Sequence, residues 1–209
     1  MARPSLYDRY IVPRVINCLC ATPEIAAQRA LVVPQAEGIV LEVGIGSGLN
    51  MPFYDRARVE RVIGVDPGAE IRALGRARFA EAQVPVELVH ASGEDLPLDD
   101  GSIDTVVLTY TLCSIPDAGA AAGEMRRVLR PGGRLLLCEH GRSHDENVVR
   151  WQDRINPVWR RLSGGCNVNR NMAAILEGAG FRFERLENFY LPGAPKFAGF
   201  HYRGVARAD

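Results

Sequence analysis

Short apolar runs alternate with amphipathic segments along the first two thirds of the chain. Runs of about five residues that are rich in Val, Ile and Leu are typical of strands buried on both faces of a parallel sheet. Such runs are found at residues 39–43, 62–65, 86–89, 105–109 and 134–140. Helices are predicted between them over 69–83 and 117–130, the second capped by Asp117. This alternation predicts an α/β fold with a parallel sheet and right-handed crossovers.

The two ends of the chain do not follow this alternation. Helices are predicted there over residues 7–20, 24–33, 144–162 and 169–178, and two antiparallel strands over 181–190 and 197–206. Thr22 and Pro23 are typical of a helix start, with Thr22 as the cap. Pro157 is expected to interrupt the third of these helices. The sheet is therefore expected to end in an antiparallel strand pair.

Composition and charge exclude several classes of protein. In 209 residues, 25 Lys and Arg balance 25 Asp and Glu, so no net field favours nucleic acid or acidic lipid. No run of about 18 apolar residues occurs, so we expect no membrane span. The N-terminus lacks the pattern of a cleaved signal peptide. Five cysteines in mainly apolar segments favour reduced thiols and a cytoplasmic location.

Three glycines follow the first predicted strand at alternate positions: Gly44, Gly46 and Gly48. Glycine permits positive φ and lets a ligand lie against bare backbone. The exposed N–H groups of such a turn suit a carboxylate or the polar face of a ribose. Glu42, at the end of the strand, adds a negative charge for a cationic group. The stretch predicts a cofactor site.

Asp66 ends the second predicted strand, 66 − 44 = 22 residues after Gly44. Nucleotide-binding folds place a carboxylate for the ribose hydroxyls at about this spacing. Because Pro67 follows, Asp66 would also suit the start of a helix. One carboxylate has two oxygens, so both roles are compatible.

Four motifs in order resemble those of class I S-adenosylmethionine-dependent methyltransferases. They are Leu41–Gly48, Ile63–Asp66, Ser92–Pro97 with the following Asp100–Asp104, and Arg127–Gly133. The resemblance implies a Rossmann-like fold with a mostly parallel seven-stranded sheet and helices on both faces. Many members carry an acid where this chain has Ser92, so Glu94 or a backbone carbonyl is expected to accept the adenine amine.

A narrower likeness extends to the C-terminal half. Segments 109–114, 139–140, 151–152, 157–159 and 165–170 resemble the methyltransferase-like alkyl thiol methyltransferases. Phospholipid- and quinone-type methyltransferases share part of that pattern. The apolar N-terminal anchor of the animal thiol enzymes has no counterpart here, so we expect no integral membrane contact and leave peripheral contact open. The pattern indicates nothing about oligomeric state.

The resemblance implies S-adenosylmethionine as methyl donor and S-adenosylhomocysteine as product. The residues expected to bind this cofactor are Glu42, Gly44, Gly46, Gly48, Asn50, Asp66, Pro67, Gly93, Glu94 and Thr109. Glu42 would hold the ammonium group, directly or through water, and Asp66 the ribose hydroxyls. We expect one methyltransferase domain over 1–209, with a helical segment 1–37 that packs on or caps the site. Residues 38–140 would bind the cofactor and 141–209 would face the acceptor.

The acceptor is predicted to be a small molecule, with a lipophilic thiol favoured and a phospholipid amine or quinol as alternatives. Tyr7, Tyr110, Cys113, Cys166 and Arg170 are expected to line its pocket. His140 follows the fifth predicted strand, at the edge where open α/β sheets bind ligands, and is the predicted base. A purely structural histidine is the competing interpretation.

Other readings fit the sequence less well. A dinucleotide oxidoreductase would prefer Gly-x-Gly-x-x-Gly, but position 49 is Leu. A nucleic-acid amino methyltransferase would show Asp/Asn-Pro-Pro-Tyr where this chain has Tyr110–Cys113. His140 and His144 have helical ligand spacing but straddle a predicted strand end, so no metal site is expected. A non-catalytic module that binds S-adenosylmethionine stays open, because it would keep the same glycines.

Overall fold

The fold is built on one seven-stranded sheet. The computed structural model describes residues 7–208, without the side chains of Asp8 and Arg9. The strands in this range are β1 Gly38–Val43, β2 Val59–Val65, β3 Val86–Val89, β4 Ile103–Thr109, β5 Leu129–His140, β6 Phe181–Tyr190 and β7 Phe200–Ala208. They lie in the order β3-β2-β1-β4-β5-β7-β6, with β7 antiparallel to both neighbours and all other pairs parallel. This arrangement confirms the predicted α/β fold and its antiparallel C-terminal pair.

Helices cover both faces of the sheet. They are α1 Val12–Cys20, α2 Pro23–Val32, α3 Ala69–Ala73, α4 Arg76–Ala80, α5 Ala118–Val128, α6 Glu146–Leu162, α7 Met172–Gly178 and α8 Lys196–Gly199. A π-helical turn, Tyr7–Ile11, precedes α1. Short 3-10 turns lie at Val33–Gln35 and Met51–Phe53. No helix within residues 7–208 is long and apolar enough to cross a membrane.

Two apolar cores result, one on each face of the sheet. Successive side chains of a strand point to opposite faces, so neighbours such as Leu136 and Leu137 enter different cores. The core that holds Leu137 also contains Met125 of α5 and Leu176 of α7. The core that holds Leu136 also contains Val32 of α2. Burial on both faces explains why the central strands are continuously apolar.

Several predicted element boundaries were wrong. The helix over 69–83 is divided into α3 and α4 near Gly75, where a Cβ would lie 2.4 Å from the carbonyl oxygen of Ser47. The helix α6 continues through Pro157, whose exposed position leaves the freed carbonyl to solvent. Thr22 precedes α2 as predicted, but its side chain makes no capping hydrogen bond.

The carboxyl ends of β1, β2, β4 and β5 meet along one edge of the sheet. The order of the strands reverses between β1 and β4, which pair directly. Ligands of open α/β sheets bind outside the strand ends at such a reversal. The predicted site residues after these strands therefore share one edge.

Candidate functional site

The turn after β1 brings bare backbone to this edge. Gly44 has φ 72°, and a Cβ there would lie 2.2 Å from the side chain of Thr111. Gly46 has φ 53°, but a Cβ there would meet nothing closer than Ile71 Cδ1, at 3.7 Å. Packing thus requires glycine at position 44. At position 46 the left-handed backbone favours glycine although there is space beside it, which leaves room for a ligand.

Asp66, at the end of β2, lies against this turn. Its Oδ2 accepts a hydrogen bond from the Gly46 amide (3.0 Å) and its Oδ1 from the Gly68 amide (2.6 Å). Burial raises the pKa of this carboxyl above its ordinary value. Each oxygen retains acceptor capacity, so the carboxylate can receive two further hydroxyl donors. Helix α3 has Gly68 as its N-cap and no side-chain capping hydrogen bond, so Asp66 stabilises the turn before this helix and does not cap it.

A buried chain of polar groups lies beneath the turn. Glu42 Oε1 accepts from Asn50 Nδ2 (3.0 Å), and its Oε2 accepts from the Tyr54 hydroxyl (2.6 Å). Arg29 Nη1 donates to Asn50 Oδ1 and to Thr109 Oγ1, both at 2.7 Å. Burial raises the pKa of Glu42 to about 7. A cationic ligand beside Glu42 would therefore favour its ionised form.

Arg29 is a residue that the sequence did not single out. It lies on α2 with 5% of its surface exposed, and its guanidinium packs over the ring of Tyr110 at 5.0 Å from the centroid. An arginine on a helix is usually solvated, so the only signal was its position among small apolar residues. It links the N-terminal segment to the ends of β1 and β4.

The acidic loop after β3 is held by Glu94. Glu94 Oε2 accepts from the Ser92 hydroxyl (2.8 Å) and Oε1 from the Asp117 amide (2.6 Å). A Cβ on Gly93 would lie 2.9 Å from Val43 Cγ1, so the loop packs closely against the end of β1. Glu94 thereby fixes the loop beside the glycine turn.

A cavity of about 560 Å³ opens beside the ends of β4 and β5. Its floor contains Tyr110, Cys113, His140, Cys166 and His201, and its walls include residues of α1 and of the segment 191–198. Apart from the floor it is mainly apolar. No Lys or Arg lines it among the residues that the structure describes. This composition suits an uncharged, lipophilic ligand.

Two cysteines and a histidine meet in the cavity floor. Cys166 Sγ lies 3.2 Å from His140 Nε2, and the ligand atoms of Cys113, His140 and Cys166 all lie within 4.8 Å of one another. Hydrogen bonding from Cys113 and the adjacent His140 lower the pKa of Cys166 to about 4. The same hydrogen bond raises the pKa of Cys113 well above its ordinary value. Cys166 is thus the more acidic thiol of the pair.

The loops that carry the two cysteines are tied together. The Asn167 amide and its Nδ2 donate to the carbonyl oxygen of Cys113, at 2.8 and 2.9 Å. Arg170 Nη1 donates to the carbonyl oxygens of Leu112 (2.6 Å) and Ile115 (2.5 Å). Backbone contacts of this kind fix the loop after β4 against the loop after α6.

Comparison with known proteins assigns the family. A model described as a methyltransferase domain matches residues 41–137. The human thiol S-methyltransferase TMT1A is 32% identical over 83% of this chain and 72% of its own length. Its human relative TMT1B is 35% identical over 77% of this chain and 68% of its own length. The chain belongs to the class I S-adenosylmethionine-dependent methyltransferases.

A solved structure supports the fold of this methyltransferase. The S-adenosylmethionine-dependent methyltransferase from Mesorhizobium loti superposes with a TM-score of 0.67 at 18% identity. The match covers 89% of this chain and 98% of the other. Family and fold together confirm that the protein is an enzyme that uses S-adenosylmethionine.

The residues of this methyltransferase fit that cofactor. The open backbone at Gly46, the two free acceptor positions of Asp66 and the buried carboxylate of Glu42 would hold its amino-acid tail and ribose. When bound, S-adenosylmethionine supplies an activated methyl group on a sulfonium. Gly48, Asn50 and Thr109 contribute to the same turn and polar chain, whereas the side chain of Pro67 is exposed.

On the acceptor side, the structure brings together only part of the predicted set. Tyr110, Cys113, Cys166 and His140 line the cavity. Two residues predicted there lie elsewhere. The Tyr7 hydroxyl donates to the Leu162 carbonyl oxygen (3.1 Å) on the surface, and Arg170 is directed to backbone carbonyls. Neither residue lines the cavity, because their long side chains donate to main-chain carbonyl oxygens instead.

His201 is a cavity residue that the sequence did not reveal. It pairs with His140 across β5 and β7, and its Nδ1 lies 2.8 Å from the carbonyl oxygen of Gly199. Burial lowers its pKa to about 4. Its position depends on strand pairing between distant segments, for which the sequence held no local signal.

Proposed function

We propose that this methyltransferase transfers the methyl group of S-adenosylmethionine to the sulfur of a small lipophilic thiol. The observation that carries the proposal is the apolar cavity with a cysteine–histidine floor beside the cofactor turn. The human relatives named as thiol S-methyltransferases match 83% and 77% of this chain, which is more than the 41–137 range of the methyltransferase domain model. A mainly apolar cavity suits an acceptor whose only polar group is its thiol.

The chain's contribution is positioning, water exclusion and removal of the thiol proton. Because the methyl group is already activated on a sulfonium, alignment of the acceptor sulfur supplies much of the acceleration. The apolar walls keep water from the reacting atoms. His140 remains the proposed base that accepts the proton of the acceptor thiol. In the structure its Nε2 lies 3.2 Å from Cys166 Sγ.

A quinol or a phospholipid amine is the alternative acceptor. A phospholipid would bring a phosphate, and no Lys or Arg among the described residues lines the cavity to pair with it. A neutral quinol would fit the apolar walls. The experiment must therefore distinguish methylation of a thiol from methylation of a quinol.

The test uses labelled S-adenosylmethionine with matched acceptors. A long-chain alkyl thiol, the corresponding alcohol and amine, a quinol and phosphatidylethanolamine vesicles are each incubated with the enzyme, and methylated products are identified by mass spectrometry. We expect a methyl thioether as the main product. Transfer to the quinol or the lipid amine with none to the thiol would contradict the proposal.

We further propose that the enzyme works in a reducing compartment such as the cytoplasm. Cys113 and Cys166 lie close together as free cysteines, and a disulfide between them would remove both sulfur groups from the cavity floor as free donors. Fractionation of cells that express the tagged protein tests this location. Recovery in an oxidising compartment would contradict it.

A further inference from the structure

The cavity floor has the donor set of a soft-metal site. The ligand atoms of Cys113, His140 and Cys166 all lie within 4.8 Å of one another. Zinc bonds of about 2.3 Å to sulfur and 2.0 Å to nitrogen separate neighbouring tetrahedral donors by about 3.5–3.8 Å. Small side-chain rotations would therefore bring all three donors onto one ion.

We propose that Cys113, His140 and Cys166 bind a zinc ion whose fourth position faces the cavity and takes the sulfur of the acceptor thiol. The metal site rests on the geometry of the three side chains. The role of the fourth position rests in addition on the proposed thiol acceptor. Three protein ligands and one open position are the arrangement of catalytic zinc sites.

The three donors are held in place by the surrounding main chain. Cys113 follows β4, His140 ends β5, and Cys166 lies in the loop after α6. Asn167, next to Cys166, donates both its amide and its side chain to the carbonyl oxygen of Cys113. The ligands are thus brought together before any ion binds, which reduces the ordering cost of binding.

The chemistry of the donors selects the metal. Two sulfurs and one imidazole nitrogen favour zinc over magnesium or calcium, which prefer several oxygen ligands. Glu24 is the only carboxylate among the described residues that line the cavity. A thiolate is the ligating form of cysteine, so an ion would displace the thiol protons of Cys113 and Cys166.

In this site the metal, rather than a free imidazole, would deprotonate the acceptor. Coordination of the thiol sulfur releases its proton to solvent, as for other metal-bound ligands. A lone pair of that sulfur then forms a bond to the methyl carbon while the bond from this carbon to the sulfonium sulfur breaks. The electron pair stays on the departing thioether, so no oxidant or reductant is needed. His140 acts as a ligand in this form.

Metal binding can be measured without any methyl transfer. The chelator-treated chain is titrated with Co²⁺, and the thiolate-to-cobalt charge-transfer and d–d bands are followed. We expect about one equivalent bound with tetrahedral bands, displaced by Zn²⁺. Adding a long-chain alkyl thiol should shift the d–d bands, whereas the corresponding alcohol should not.

Variants assign the ligands. Cys113→Ser, Cys166→Ser and His140→Gln should each lose or strongly weaken the bands while still binding S-adenosylhomocysteine, which shows that they fold. Cys18→Ser, at an exposed position, and Cys20→Ser, on the wall of the same cavity, should keep them.

Two results would overturn the inference. One is a wild-type chain that binds S-adenosylhomocysteine but takes up no Co²⁺ or Zn²⁺ under reducing conditions. The other is thiol methylation at the wild-type rate in the metal-free chain, which would leave the proposed function intact. Metal bound by the three ligands and perturbed by thiol, with no thiol methylated, would instead contradict the proposed function and leave the metal site standing.

Discussion

The cofactor side and the acceptor side of this methyltransferase are built in different ways. The cofactor side takes its residues from the ends of β1, β2 and β4, where each lies in a short motif of its own, such as Gly46 in the glycine turn and Asp66 at the end of β2. The acceptor cavity joins α1, the loop after β4, the end of β5, the loop after α6 and β7. The first is specified by local motifs and the second by tertiary packing. A substitution on the cofactor side should therefore weaken cofactor binding and leave acceptor binding nearly unchanged. A substitution on the acceptor side should do the reverse.

The largest effect is expected on the cofactor side, at Asp66. Asp66→Ala removes the proposed acceptor of two ribose hydroxyls and the observed acceptor of the Gly46 and Gly68 amides. Loss of two hydrogen bonds to a charged group costs about 3 kcal/mol, so the Kd of S-adenosylhomocysteine should rise about 100-fold. Calorimetry measures this Kd. Asp95→Ala, at an exposed position in the nearby acidic loop, is the control and should change it less than twofold. An unchanged Kd in Asp66→Ala would mean that Asp66 stabilises the turn and does not bind the ribose.

The next effect is a pH dependence of cofactor binding. Burial raises the pKa of Glu42 to about 7 in the free enzyme, so the carboxylate proposed to attract the ammonium group is mostly ionised above pH 7 and mostly protonated below it. The Kd of S-adenosylhomocysteine should therefore be about tenfold higher at pH 6 than at pH 8. Glu42→Gln should bind more weakly at pH 8 and lose most of this dependence. A wild-type Kd that is flat from pH 6 to 8 would contradict the role of Glu42.

A smaller effect is expected on the acceptor side, at Arg170. Arg170→Lys cannot reproduce the donors that reach Leu112, Ile115 and Pro116, and the loss of about 1 kcal/mol should loosen the loop that carries Cys113. We expect the KM for the acceptor to rise about fivefold while the Kd of S-adenosylhomocysteine stays the same. Steady-state kinetics and calorimetry measure the two. Arg161→Lys, on the exposed surface of α6, is the matched control. If the KM for the acceptor and the Kd of S-adenosylhomocysteine rise by the same factor, the cofactor side and the acceptor side do not act independently, and the proposal is contradicted.

The smallest effect is expected on the cavity wall. Leu19 of α1 lines the cavity, so Leu19→Ala removes apolar contact with the acceptor worth about 0.7 kcal/mol. The KM for a long-chain thiol should rise about threefold, and that for a short-chain thiol should change less. Leu31→Ala tests an equally exposed leucine outside the cavity and should have no effect. If the KM rises by the same factor for long-chain and short-chain thiols in Leu19→Ala, the alkyl chain of the acceptor does not lie against Leu19.

The same contrast explains how much could be predicted from the sequence. The fold and the cofactor side follow from strand-length apolar runs, spaced glycines and an acid at a strand end, all of which are local signals. The acceptor side does not, because His140 meets His201 only through the register of β5 and β7. Arg29 was missed for a similar reason, since its partners Asn50 and Thr109 lie far along the chain. Tyr7 and Arg170 lie outside the cavity because their long polar side chains donate to the main-chain carbonyl oxygens that the packing presents.

The central claim is that the cofactor turn and the cysteine–histidine cavity meet at the reacting atoms. A crystal structure of the enzyme with S-adenosylhomocysteine tests it most directly. We predict the ribose hydroxyls at Asp66, the ammonium group near Glu42, and the thioether sulfur facing the cavity floor of Tyr110, Cys113 and His140. A thioether sulfur that is walled off from this cavity, or that faces a different opening, would contradict the account.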